Sequence, residues 1–265
     1  MSRVLITGCS TGFGRASAVE LTKRGHEVVA TARKPETLDE LEVADRIRLD
    51  VDDDASVKEA VAKAGSLDAL VNNAGFGIVG PVERVPLDEA RRMFETNVFG
   101  AARMIQAVLP QMRERGSGTI LNVTSVAGLV VGPHGGYYAA TKHALEAISE
   151  ALHYEVGHFG IKVRIIEPGY FETGFQGKEP MYGVEAPPYD ELQAQWEVSF
   201  EKLQGGGDPL GPEPVAAVIA DAVESTDRRL RWPVGSDAEM VLGVRRSTDD
   251  EAFEDAMRGV LDLTW

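Results

Sequence analysis

The stretch TGCSTGFG, Thr7 to Gly14, lies between the apolar run RVLI and a helical pattern, with a second apolar run, EVVAT, beyond it. Three glycines in eight residues make either a tight turn or a cradle for phosphate, and the context favours the cradle. Gly8 can turn the chain sharply, Gly12 can let a ligand approach the backbone, and Gly14 can seat the helix on the sheet. Free N-H groups at such a helix start, around Ser10, Thr11 and Phe13, favour a pyrophosphate. The spacing is G-x-x-x-G-x-G, one residue longer than the common dinucleotide fingerprint.

Outward from this turn, strand-length apolar runs alternate with amphipathic stretches: RVLI, EVVAT, RIRL, LDALV, GTILNVTS and IKVRIIE. That alternation predicts βαβ units, and so an α/β, doubly wound parallel sheet with helices on both faces in one domain of 265 residues. Helical patterns are read from Gly12 to Arg24, stopped by Gly25, from Leu87 to Arg115, and from Gly136 to Phe159. Between about 176 and 214 glycine and proline surround a short helical pattern in which Leu192, Trp196, Phe200 and Leu203 make one apolar stripe. This segment reads as an insertion able to move as a lid; permanent packing on the body or on another subunit is the alternative. After Val215 come a helix, the strand-like RLRWPVG and an acidic helical stretch ending at Trp265.

A formal net charge of -15 argues against nucleic acid as partner, because that binding needs clustered Lys and Arg. No apolar run approaches the roughly 20 residues that cross a bilayer, and MSRVLITG reads as a strand entering a turn, so no membrane is expected and the cytoplasm is the expected setting. Cys9, the single cysteine, has no partner for a disulfide or a zinc site, and no metal is expected.

Tyr138 and Lys142 are four apart on a helical pattern and therefore share a face. A nearby ammonium favours the phenolate, which would let Tyr138 exchange a proton near neutral pH. Tyr137 lies about 100° around the helix from Tyr138, so spacing favours Tyr138. Ser125 ends a strand run at the carboxyl edge, where open α/β sheets bind ligands, and Thr124 would face the other way. Asn97 is a poor helix former inside a helical pattern. His134 and His143 lie close by and carry no comparable motif.

TGCSTGFG, NNAG at Asn72 to Gly75, TNVFG at Thr96 to Gly100, NVTS ending at Ser125, YAATK at Tyr138 to Lys142 and EPGYFET at Glu167 to Thr173 together resemble a short-chain dehydrogenase/reductase, in the family's order. The resemblance implies a Rossmann-type fold and a catalytic set of Ser125, Tyr138, Lys142 and Asn97, with the serine on the substrate oxygen and the asparagine holding a water behind the lysine. It implies a nicotinamide cofactor on Gly8, Ser10, Thr11, Gly12, Phe13 and Gly14. Further contacts are implied from Asp50 and Val51 to adenine, from Asn73, Ala74 and Gly75 to the ribose, and from Pro168, Gly169, Phe171 and Thr173 to the nicotinamide. Ala32 stands where NAD-using relatives resemble one another in carrying Asp, and Arg33 and Lys34 follow, which points to NADP (NADPH) over NAD. Thr11 replaces the basic residue of many NADP-using relatives.

The expected function is NADP(H)-dependent transfer of hydride to or from a hydrophobic alcohol or ketone, with Tyr138 as general acid/base. Val126, Leu129, Phe175, Met181, Tyr182, Trp196 and Phe200 are the candidate substrate pocket, and the layout resembles the retinol and hydroxysteroid branches. The alternatives are the same chemistry with NAD(H), a non-catalytic NADP(H)-sensing protein, or dehydratase or epimerase chemistry. Family resemblance further implies a homodimer or homotetramer.

Overall fold

Period-two burial in the apolar runs decides the architecture. In β1 (Arg3–Ile6) Val4 and Ile6 join one core while Leu5 joins another, because successive strand side chains point to opposite faces. A computed structural model describes residues 1–173, 179–203 and 210–265, and places seven parallel strands in one sheet of order β3-β2-β1-β4-β5-β6-β7. The others are β2 (Glu27–Ala32), β3 (Asp45–Arg48), β4 (Ala69–Asn72), β5 (Gly118–Val123), β6 (Ile161–Pro168) and β7 (Arg231–Val234). Strand order reverses beside β1, which pairs with both β2 and β4, and this switch point opens a crevice at the carboxyl ends of the strands.

Helices cover both faces, as parallel strands require. Leu21 of α1 (Gly12–Lys23) and Ile219 of α7 (Glu213–Glu224) pack in one core with Val28, Val71 and Ile166. Val57 of α2 (Asp54–Ala64), Met104 and Val108 of α4 (Ala101–Arg115) and Leu152 of α5 (Gly136–Val156) pack in the other, with Leu70, Ile120 and Val163. The first helix ends as read, at Gly25 with φ 84°. Asp53 caps α2, its carboxylate accepting from the Ala55 N-H.

Two long helical patterns come out interrupted. Leu87 to Arg115 is α3 (Leu87–Phe94), a wide π-type segment Glu95–Gly100, and then α4. Apolar periodicity persists through such a segment, so the sequence pattern does not reveal it. The stretch from Gly136 stops being α-helical at Val156, and Gly157–Phe159 tightens into a 3₁₀ turn.

The insertion is docked at several points. Val79 bridges to Met181, with the Tyr182 N-H donating to the Val79 carbonyl at 2.9 Å. In α6 (Asp190–Leu203) the Trp196 ring covers Gly132 so closely that a Cβ there would lie 2.6 Å from it. Gln195 Oε1 accepts from the Thr264 and Trp265 N-H groups, beyond α8 (Ser236–Ser247) and α9 (Asp250–Leu261). Phe175 and the side chain of Phe200 lie outside the described residues. Among the described residues, no helix is long and apolar enough to cross a membrane.

Gly14 holds α1 against the turn before it: a Cβ would sit 2.4 Å from the Gly8 carbonyl oxygen. Gly14→Ala is expected to lower unfolding free energy by about 1–3 kcal/mol in urea denaturation. An unchanged midpoint and slope would show that the turn relaxes freely.

Candidate active site

The site begins with a latch across the switch point. Thr7 Oγ1 accepts from the N-H groups of Asn73 and Ala74, both at 2.9 Å, and the Asn73 amide donates to the carbonyls of Thr7 (2.8 Å) and Gly8 (3.2 Å). These bonds fix the end of β1 against the end of β4, so the glycine turn has one shape. Gly8 and Gly12 take φ values of 75° and 57°, which a side chain would strain. Thr11 is extended and its hydroxyl makes no capping bond to the first N-H groups of α1.

A cavity of about 670 Å³ extends from this turn across the carboxyl edge of the sheet. Gly8, Ser10, Thr11, Gly12 and Phe13 form one wall. Arg33, Asp50, Val51, Asn73, Ala74 and Gly75 line the cavity too, as do Ser125, Tyr138, Lys142, Pro168 and Gly169, and Thr173 returns to the glycine turn, its Cβ 3.4 Å from where a Cβ on Gly12 would be. Residues separated by more than a hundred positions in the chain therefore face one space.

Ser125 follows β5 in extended conformation; its Oγ accepts from the Ala127 N-H at 3.1 Å and lies 3.4 Å from the Pro168 carbonyl. Thr124 points away, donating to the Ile166 carbonyl at 3.0 Å, as strand alternation requires. On α5 the buried Lys142 donates to the Val123 carbonyl at 2.9 Å, and its Nζ stands 5.7 Å from the centre of the Tyr138 ring. Both tyrosines pack on the small core of Ile78, Val85, Ala90 and Met93, and of the two Tyr138 is on the cavity wall.

Burial sets the charge states here. It pushes the Tyr138 phenol up to about 12, against a hydrogen bond with Ser125, and pushes Lys142 down to about 8, against the pull of Glu146. Burial thus raises the phenol where the neighbouring ammonium was expected to lower it, and the opposing influence comes from Ser125. A protonated phenol beside a hydroxyl and an ammonium can donate to an oxygen that gains charge.

Three residues of the expected catalytic and cofactor-binding sets are not on the cavity wall. Gly14 acts through its approach to Gly8. Phe171 is 1% exposed, with its ring in the core edge-on to Phe13 at 6.0 Å, so its side chain is part of the packing behind the site. Asn97 is turned inward by the π-type segment: its amide donates to the Phe76 carbonyl (2.9 Å) and Thr141 Oγ1 (3.1 Å), and its Oδ1 accepts from the Phe76 N-H (3.0 Å). His134 is buried on the far side of the Gly80 loop, and His143 Nδ1 meets the Ala139 carbonyl. Val126, Leu129, Met181, Tyr182 and Trp196 also lie off this wall, so its chemistry is more polar than the expected apolar pocket.

Several wall residues were missed by sequence reasoning. Phe76, directly after NNAG, and Thr96, whose hydroxyl donates to Asp52 at 2.9 Å, adjoin motifs that pointed to their neighbours. Arg92, with its guanidinium over the Phe76 ring at 4.4 Å, and Glu179 and Pro180 carried no motif. Among the described residues no cluster of His, Cys, Asp and Glu could hold a metal ion.

The family model for short chain dehydrogenase matches residues 2–181. The chain is 35% identical over 270 residues to the uncharacterized oxidoreductase YusZ of Bacillus subtilis, covering 96% of each chain. It is 42% identical over 179 residues to the 3-ketodihydrosphingosine reductase of Bacteroides thetaiotaomicron, 65% of each chain. It superposes on a short-chain dehydrogenase from Streptomyces avermitilis with TM-score 0.80 and 39% identity, over 97% of this chain and 98% of that one. Two other similar structures are a gluconate 5-dehydrogenase from Burkholderia cenocepacia in complex with NADP and tartrate (26%, TM-score 0.75, 90% of this chain and 95% of that one) and a 3-ketoacyl-(acyl-carrier-protein) reductase from Brucella melitensis with NADH (27%, TM-score 0.76, 89% and 98%). This chain belongs to the short-chain dehydrogenase family of oxidoreductases.

Thr7→Val keeps the shape and deletes the acceptor of two buried N-H groups. Chemical denaturation is expected to show a loss of about 1–3 kcal/mol. A cost near zero would mean that the latch is not holding the turn.

Proposed function

We propose that this chain is an NADP(H)-dependent oxidoreductase that interconverts a hydrophobic ketone or aldehyde and its alcohol, with Tyr138 as general acid/base. The observation that carries the reading is the convergence of Ser125, Tyr138 and Lys142 on the same cavity as the glycine turn. A binding protein without chemistry would have no use for a buried phenol, hydroxyl and ammonium together.

The residues fit a dinucleotide. The positive-φ Gly8 and Gly12, and first-turn N-H groups without a capping bond from Thr11, suit a pyrophosphate. Asp50 and Val51, with Asn73, Ala74 and Gly75, would hold the adenosine end, and Pro168, Gly169 and Thr173 the nicotinamide end. When bound, the nicotinamide supplies or takes up the hydride. Tyr138 gives a proton to the carbonyl oxygen in reduction and takes it back in oxidation, Ser125 holds that oxygen, and Lys142 keeps positive charge beside the phenol. Phe171 would act through packing, and Asn97 by fixing the Phe76 loop beside Thr141 and Lys142.

Arg33 and Ala32 support NADP over NAD. Arg33 is exposed at the mouth of the cavity and, among the described residues, forms no ion pair, while the buried Ala32 offers no carboxylate to a ribose hydroxyl. Relatives in complex with NADP and with NADH make either nicotinamide compatible with the fold. A hydrophobic carbonyl is supported by the similarity to a 3-ketodihydrosphingosine reductase, and the insertion would act as a lid by leaving its docked contacts at Met181 and Trp196. Family membership also supports a homodimer or homotetramer.

Tyr138→Phe is expected to bind NADPH as tightly as the unaltered chain while turnover of apolar ketones falls by about 10²–10⁴-fold, followed by nicotinamide absorbance. Retained turnover would remove Tyr138 from the chemistry. In fluorescence titrations Arg33→Ala should weaken NADPH about tenfold or more and leave NADH nearly unchanged, the share of a charge-assisted contact. Equal weakening of both would count against a phosphate contact.

A further inference from the structure

One turn below Lys142 on α5, outside the cavity, two buried carboxyl groups meet a half-buried arginine. Glu146 Oε2 meets Arg231 Nη2 at 3.0 Å, and Glu167 Oε1 meets Arg231 Nε at 3.1 Å. The Glu146 and Glu167 side chains are 5% and 0% exposed. The same arginine reaches the exposed Glu150 at 2.7 Å, and Arg246 stands 3.9 Å from Glu167. Replacing such a cluster by apolar side chains is often neutral or stabilising, so stability alone gives it little reason to exist.

Its position is more informative. Glu146 is four residues from Lys142, on the same helix face. Gly128, in the turn that Ser125 caps, makes room for it: a Cβ there would lie 2.9 Å from Glu146 Cγ and 3.4 Å from the Lys142 carbonyl. Thr124, the neighbour of Ser125, faces the Glu146 carboxyl, and Glu167 precedes the Pro168 whose carbonyl meets Ser125. The cluster therefore touches each segment that carries a proposed catalytic group.

On the reading of Tyr138 and Lys142 as the proton-handling pair, we propose that Glu146, seated under the Ser125 turn and clamped by Arg231, is a positioning residue that keeps Lys142 an ammonium. Burial drives Lys142 toward the neutral amine, and Glu146 is the carboxylate that opposes it. Burial also pushes Glu146 up and Glu167 up to about 7, with each carboxyl group further opposed by a neighbouring one, while the Thr124 hydroxyl and then the guanidinium of Arg231 favour the Glu146 carboxylate. The charged groups facing this network are Glu150 on α5, Arg246 on α8 and, beyond Tyr138, Glu179. Removing the carboxylate leaves Lys142 to burial, and its charge is then lost at a lower pH.

The test is an NMR titration of the intact chain carrying ¹³Cε-lysine, without cofactor, with Lys142 assigned by the signal missing from Lys142→Arg. Glu146→Gln is expected to lower the Lys142 midpoint by about one pH unit, and Glu150→Gln to leave it in place. Gly128→Ala, which displaces the carboxylate without deleting it, should lower the midpoint too, and it serves if Glu146→Gln does not fold. An unshifted midpoint in a folded Glu146→Gln chain, even with reduced thermal stability, overturns the proposal, as does an equal shift in Glu150→Gln. Failure of the catalytic reading would be seen elsewhere, as full turnover by Tyr138→Phe.

Discussion

The hydroxyl of Thr7, accepting two backbone N-H groups from the end of the neighbouring strand, is the bond set on which the rest of the site depends. Parallel strands leave their terminal peptide groups unpaired where the strand order reverses, and β1 and β4 end at that point. Thr7 and Asn73 satisfy these groups from side chains, so the crevice stays open without orphaned donors. With the turn fixed, Gly8 and Gly12 can take left-handed conformations and α1 presents its first N-H groups to the cavity. A looser latch would let the turn collapse into the crevice it borders.

Burial governs the other end of the cavity. It raises the proton affinity of Tyr138 and lowers that of Lys142, which works against a phenol giving up a proton and an amine holding charge, and the Ser125 hydroxyl and the Glu146 carboxyl oppose it at the two groups in turn. Low dielectric also makes distant carboxylates count, which is why a glutamate one helical turn away bears on the lysine. A chain of buried bonds from Asn72 to Asn122 (2.9 Å) and on to Ser149 (2.8 Å) ties β4, β5 and α5 together behind these residues. Their spacing is thereby set by the sheet.

Much of this was legible in the sequence because it is local. The six apolar runs became β1 to β6, RLRWPVG supplied β7, and the G-x-x-x-G-x-G turn borders the cavity at the carboxyl edge of the sheet. Helical spacing alone separated Tyr138 from Tyr137 on the cavity wall, and strand alternation turned the Thr124 hydroxyl to the Ile166 carbonyl although Thr124 borders the cavity with Ser125. What was not legible depends on distant partners. Phe171, which the resemblance implied as a nicotinamide contact, has its ring packed with Phe13 beside Gly235, and nothing in its local sequence shows that. The π-type segment at Asn97 keeps a helical apolar pattern, and only the bonds to Phe76 show its inward turn. Glu146, Glu167 and Arg231 come from two strands and a helix, and no spacing rule joins them.

The central claim is that the latched turn and the Tyr138–Lys142 wall form one dinucleotide site. Calorimetric titration of the purified chain with NADPH and with NADH tests it most directly. The account predicts saturable binding at one molecule per chain, tighter for NADPH, with mutual displacement of the two. No heat and no displacement with either nicotinamide would contradict it.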